Sequence, residues 1–153
     1  MDVQERGEQE MKIIQQEVAE DRDFIRKKVI EHNNASLPGE KTSPFEQMSF
    51  IVRSGEGEII GGLTATGFWR HLHIDFLWVD PEARGQRIAA KLMAQAEEYA
   101  RSKGHRLIIV DTLSFQAPEF YKKQGFTEFG KITDFPEGHS HHYFEKWLVE
   151  PTV

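Results

Sequence analysis

The residues best equipped for chemistry lie in the stretch Val79-Asp80-Pro81-Glu82-Ala83-Arg84-Gly85-Gln86-Arg87-Ile88-Ala89-Ala90-Lys91-Leu92-Met93. An apolar run ends at Val79, and Asp80-Pro81 stops a strand and starts a turn. Small and polar residues then open a helix whose apolar positions are Ile88, Leu92 and Met93. Strand, loop and helix N-terminus in that order make an anion site. The first N–H groups of a helix have no partner within it, and the aligned peptide dipoles favour negative charge there. Small residues let a bulky phosphate approach the main chain, and Arg84 and Arg87 add positive charge. The ligand implied is phosphate-bearing. Alone, the segment reads equally well as an ordinary helix start with a solvated pair of arginines. It lacks the Gly-Lys-Ser/Thr end of a P-loop and is not Gly-x-Gly-x-x-Gly.

The second group is the histidines. His71-x-His73 is a pair on one strand face, and His139, His141 and His142 form a late cluster. Two strand histidines can bind a metal, but a site needs three or four ligands. The chain has no cysteine, and no acid stands at a recognisable ligand spacing. No metal site is expected. The late histidines either line a pocket or sit exposed on the last hairpin. Asp134-Phe-Pro-Glu-Gly-His139 reads as a loop from its Pro and Gly.

The elements that must hold these residues follow from pattern. The chain has 153 residues, 39% of them hydrophobic and 29% charged, which is one soluble globular domain with a sizeable core. Residues 1–10 are acidic, lack the apolar core of a signal peptide and are expected to be a mobile tail. The domain is expected over 11–153. No window approaches a membrane span. The net charge of −6 argues against nucleic acid, where basic patches supply most of the affinity. A cytoplasmic location is the simplest reading. Residues 11–18 are expected as a strand. Residues 21–33 are expected as a helix, capped by Asp21 or Asp23 and with Phe24, Ile25, Val29 and Ile30 on one face. A loop is expected over 33–42. Strands are expected over 49–53, 59–66 and 71–79, the first two around a hairpin at Ser54-Gly-Glu-Gly57. A long helix is expected over 84–103, with Gly104 past its end. A buried strand over 106–111, a short helix over 117–124 ending at Gly125, and closing strands over 126–132 and 141–149 complete the chain.

The run Arg106-Leu-Ile-Ile-Val110 is followed by Ser114-Phe-Gln-Ala-Pro-Glu-Phe-Tyr-Lys-Lys-Gln-Gly-Phe126. With Arg84-x-x-Arg87-x-Ala89, this resembles the GNAT superfamily of acyl-CoA-dependent N-acetyltransferases over roughly residues 47 to 149. The pyrophosphate loop of that family reads Gln/Arg-x-x-Gly-x-Gly/Ala, which Arg84 and Ala89 fit. A later helix there commonly ends in Tyr-x-x-x-Gly-Phe, which Tyr121, Gly125 and Phe126 fit. Two positions depart from the pattern. Arg87 stands where Gly is usual, and Ser114 stands where many members have Asn.

The resemblance implies a single α/β domain around a mixed, mostly antiparallel sheet of six to seven strands that splays at the cofactor. It implies acetyl-CoA as co-substrate, held by Arg84, Gly85, Gln86, Arg87, Ile88 and Ala89, by the backbone of Leu77, Trp78 and Val79, and by Ser114. The acceptor implied is a primary amine on a small molecule or peptide. The absence of cysteine favours direct attack on the thioester over a thiol-bound intermediate. Tyr121 is the expected general acid, since an intrinsic pKa near 10 suits protonation of a thiolate. For the base, His73 and Asp75 share strand parity with Leu77 and Val79, so all four lie on one sheet face if no bulge intervenes. His73 is tuned for proton removal near neutral pH. Asp75 could instead bind a cationic amine, and a water chain with no dedicated base is a further option. Exposed edge strands would allow a homodimer. The competing readings are a non-catalytic acyl-CoA sensor, which Arg87 and Ser114 keep open, and a nucleotide-binding interaction domain.

Overall fold

The computed structural model of the chain describes residues 10–39 and 43–152. The tail expected over residues 1–10 lies outside these, apart from Glu10. The chain divides into two compact units, Met1–Leu37 and Pro38–Val153.

In the first unit, residues 11–18 take up no regular structure, contrary to the strand expected there. A strand exists only where a neighbour supplies hydrogen bonds. Helix α1 spans Ala19–Ser36. Val18 occupies its N-cap without a side-chain bond, so neither Asp21 nor Asp23 caps it. Asp21 lies in the first turn, where the helix dipole favours it, and accepts from the Gln16 amide. Asp23 pairs with Lys27 at 2.8 Å instead. The helix passes Asn33 and stops before Pro38, which disfavours helical geometry in the residue before it.

The second unit holds all the strands: β1 Glu46–Arg53, β2 Ile59–Phe68, β3 His71–Val79, β4 Leu107–Leu113, β5 Thr127–Thr133 and β6 Ser140–Trp147. They form a six-stranded sheet in the order β1-β2-β3-β4-β6-β5. Only β3 and β4 pair in parallel; the other neighbours are antiparallel. The mixed, mostly antiparallel α/β architecture is therefore the one expected. β2 runs on to Phe68 because Trp69 and Arg70 both take positive φ, the mirror-image turn that suits a two-residue hairpin.

One sheet face carries Leu63, Ala65, Leu72, Ile74, Ile108, Val110 and Phe144, all buried. Leu92, Met93, Ala96 and Ala100 of α2, Ile88–Ser102, complete this core. Each large aliphatic so buried contributes about 1.5–3 kcal/mol. α2 ends in a Schellman motif: His105 N–H donates to Ala100 O at 2.8 Å and Gly104 N–H to Arg101 O at 3.1 Å, with Gly104 at positive φ. At its start α2 is shorter than expected. Pro81–Ala83 form a 3₁₀ turn capped by Asp80, and residues 84–87 are an open loop.

Candidate active site

The parallel ladder between β3 and β4 stops early. It joins only His71–Ile74 to Leu107–Val110, after which β3 pairs with β2 alone and β4 with β6 alone. The sheet therefore splits, and a cavity of about 680 Å³ opens along the split. Leu77, Trp78 and Val79 line it from β3, with Asp111 and Thr112 of β4 opposite. The unpaired edge of β3 offers backbone donors and acceptors to an extended ligand, the physics of strand addition.

A bulge shapes the β3 wall. Ala65 pairs with Ile74 but Thr64 with Phe76, which leaves Asp75 as the extra residue. The insertion reverses the alternation. His73 and Asp75 stay on one face, where Thr66 Oγ1 donates to Asp75 Oδ2 at 2.6 Å. Leu77 and Val79 turn to the opposite face and pack on the core, correcting the shared face that plain parity implied.

At one end of the cavity lie Arg84, Gly85, Arg87, Ile88 and Ala89. The first hydrogen bond of α2 runs from Lys91 N–H to Arg87 O at 3.0 Å, so the preceding N–H groups of the helix are free. Neither Arg84 nor Arg87 has a side-chain hydrogen bond or ion pair among the described residues. The end thus combines free amides, the positive pole of a fifteen-residue helix and two uncommitted guanidiniums, a fit for a diphosphate. Arg87 is not in the first helical turn. It is the N-cap, in left-handed geometry with φ of 58° and ψ of 30°, following Gly85 at φ of 92°. Gly at such a position is free of the Cβ clash that Arg must bear. Gln86 is exposed and does not line the cavity.

At the other end stands Tyr121, on the short helix α3, Pro118–Lys123. The Tyr-x-x-x-Gly-Phe pattern is the end of this helix. Phe126 N–H donates to Tyr121 O and Gly125 N–H to Lys122 O, both at 3.1 Å, with Gly125 at φ of 89°. This second Schellman motif brings its usual apolar contact, the rings of Tyr121 and Phe126 lying 6.0 Å apart. Phe144 and Phe120 complete the clamp. The hydroxyl makes no hydrogen bond within the described residues. Burial first, and then the Asp111 charge, push the phenol up to about 12, so it stays protonated and can donate.

Asp75 and Asp111, which both line the cavity, belong to a polar chain. His73 Nδ1 lies 2.8 Å from Asp75 Oδ1, and His73 Nε2 lies 3.2 Å from Asp111 Oδ1. Asp111 Oδ2 lies 2.7 Å from His141 Nε2. The His141 ring stacks on Phe135 at 5.4 Å and on Tyr143 at 4.6 Å, nearly parallel to both. Alternation along β6 sends His142 the other way, to Glu128 at 2.6 Å and Ser140 at 2.8 Å. His139 packs edge-on against Phe115. Among the described residues, no group of three or more His, Asp or Glu is placed to hold a metal ion.

Ser114 is not at the cavity. Its Oγ accepts from Ser140 N–H at 3.0 Å and its N–H donates to Ser140 O at 2.8 Å, stapling the chain after β4 to the start of β6. Gln116 takes the neighbouring structural task, its Oε1 accepting from Leu113 N–H at 2.9 Å. Sequence reasoning missed Asp111 and His141 as a linked pair. The available signal was an acid closing an apolar strand, since the carboxyl ends of adjacent parallel strands are where α/β sites gather.

The site combines a split sheet, a helix start with free amides and a protonated phenol. Residues 14–126 match the model of the Acetyltransferase (GNAT) family, and the chain belongs to that family. It is 38% identical over 112 residues to the blasticidin-S acetyltransferase of Streptomyces morookaense, covering 72% of this chain and 82% of that protein. The crystal structure of an acetyltransferase from Bacillus cereus ATCC 14579 is 46% identical, with a TM-score of 0.86 over 90% of this chain and 98% of the other. A putative acetyltransferase from Agrobacterium tumefaciens is 30% identical, with a TM-score of 0.79 over 90% and 100%. The chain is an acyltransferase enzyme. No helix among its described residues is long and apolar enough to cross a membrane.

Proposed function

We propose that this enzyme transfers the acetyl group of acetyl-CoA to a primary amine on a small molecule, by direct attack of the amine on the thioester. The observation that carries this reading is the continuous cavity from the α2 start to Tyr121. In it, the free amides at Ile88 and Ala89, with Arg84 and Arg87, hold the diphosphate. The pantetheine arm runs along the open edge at Leu77, Trp78 and Val79, which sets the thioester near Tyr121. Tyr121 donates to the departing sulfur. Two carboxylates beside the gap suit a cationic acceptor. The test is acetyl-CoA consumption across a panel of amines, with blasticidin S included because a relative of this chain carries that name. Turnover with one of them supports the reading. CoA binding with no turnover on any amine would return the chain to the role of an acyl-CoA sensor.

A further inference from the structure

The bulge at Asp75 turns two aromatic side chains out of the core. Leu72 and Ile74 are buried, and by plain alternation Phe76 and Trp78 would follow them. With Asp75 as the extra residue, Leu77 and Val79 pack on the core instead, and Phe76 and Trp78 join Asp75 on the other face. Both line the cavity, Phe76 77% exposed and Trp78 52% exposed. Neither ring meets another ring or a cation among the described residues. Burial of rings this size is strongly favourable, and the fold forgoes it here twice.

The β4 side is built alike. Phe115, in the loop after β4, lines the same cavity and is 57% exposed, its ring propped edge-on by His139 at 4.9 Å. The carboxylates of Asp75 and Asp111 line this cavity too. Asp75 directly precedes Phe76, and the bulge keeps the two on one face. A carboxylate next to an exposed ring fits a ligand whose cationic group adjoins a flat apolar one. Single exposed apolar residues are ordinary on a protein surface. Three exposed aromatics and two carboxylates on one cavity form a patch of the kind that marks a binding site.

On the acetyl-transfer reading above, we propose that the acceptor is an amine carried on a flat aromatic ring, with Phe76 and Trp78 as the residues that select it. The ring of the acceptor lies against their exposed faces, where offset or edge-on packing of aromatic rings is favourable. Its ammonium sits towards Asp75 and Asp111. β3 then serves both substrates: its backbone edge takes the pantetheine arm, and its outward side chains take the acceptor. A saturated ring of equal charge and size keeps the carboxylates and much of the apolar contact but loses the ring–ring term, so flatness is what Phe76 and Trp78 read.

The test compares two amines of equal charge and reach, phenylethylamine and cyclohexylethylamine, at saturating acetyl-CoA. The intact enzyme should favour the flat ring by about two- to tenfold in kcat/KM, the range of a ring–ring contact. Phe76→Ala should bring that ratio towards unity, and Phe76→Trp should keep it. KM for acetyl-CoA should hold in both variants. Phe76 is exposed, so its truncation opens no hole in the core, and Trp78→Ala gives a second reading of the same ratio. A general loss of fold would slow the two amines alike and leave their ratio unchanged. Equal rates for the two amines on the intact enzyme, turnover confined to amines without a flat ring, or a preference that survives both Phe76→Ala and Trp78→Ala overturns the proposal and leaves acetyl transfer in place. If CoA binds and no amine of the panel is acetylated, the acetyl-transfer reading falls, and this proposal with it.

Discussion

The start of α2 and the polar chain on the sheet are built on opposite plans. At the α2 end, the groups facing the ligand are uncommitted: free amides and two arginines with no protein partner among the described residues. On the sheet, polar side chains are bound to one another, in a chain from Thr66 through Asp75, His73 and Asp111 to His141, of which Asp75 and Asp111 line the cavity. The difference matches two tasks. A diphosphate brings its own charge, so the protein serves it best with unspent donors. Moving a proton needs groups fixed in one protonation state and one direction before the acceptor arrives. Binding should therefore be lost gradually by changes at the first, and turnover steeply by changes at the second.

The largest effect is expected at Tyr121. Tyr121→Phe should lower kcat by about 10²–10⁴-fold with CoA affinity little changed. The hydroxyl has no protein partner among the described residues, so its removal leaves nothing unpaired, and the melting temperature should hold. An unchanged kcat, measured with the fastest amine of the panel, would return Tyr121 to a packing role.

Tyr121 was legible in the sequence because what fixes it is local. A helix that starts at Pro118 and stops at Gly125-Phe126 determines where its tyrosine points. The loop at Arg84 was legible for the same reason, since Asp80-Pro81 and the start of α2 fix it locally. Three features were not legible, because each depends on a neighbour distant in sequence. The bulge at Asp75 is a matter of register against β2 and leaves no mark in β3 itself. The left-handed turn at Arg87 was hidden, since nothing about an arginine announces positive φ. Asp111 reads as the last residue of an apolar strand until β3 and β6 bring two histidines to it. Residues 11–18 failed in the other direction: a strand was expected there, and the segment takes up no regular structure.

Acid stability is expected to depend on two histidines, His71 and His105. His71 and His105 are both held below the ordinary histidine range, chiefly by burial, and His105 Nδ1 has no partner. The sign follows from proton counting. Below about pH 6.5 the unfolded chain binds protons that the folded chain resists, so stability is present above that pH and falls as pH drops through it. Chemical denaturation between pH 7 and 5 should show this slope. It should flatten in His105→Asn, while Asp111→Asn should keep it. A slope that instead vanishes in Asp111→Asn would move the acid sensitivity to the active site.

A smaller, two-signed effect is expected at Arg87. Left-handed geometry costs a residue with a Cβ about 1–2 kcal/mol. Arg87→Gly should therefore raise thermal stability by about 1 kcal/mol or less after the glycine's greater unfolded-state entropy is set against it. The same change removes an exposed charge from the anion site and should weaken CoA by about 1 kcal/mol or less. A clear gain in CoA affinity would show that Arg87 obstructs the cavity, and would favour the sensor over the enzyme.

The central claim is that the start of α2 is where the co-substrate's diphosphate sits. Calorimetric titration with CoA tests it most directly, comparing the intact protein with Ala89→Glu, which places a carboxylate among the free amides at the positive pole of the helix. The expected result is binding to the intact protein and at least a tenfold loss in the variant, with the fold unchanged by circular dichroism. Equal affinity in the two proteins, or no binding to the intact protein at millimolar CoA, would contradict the account.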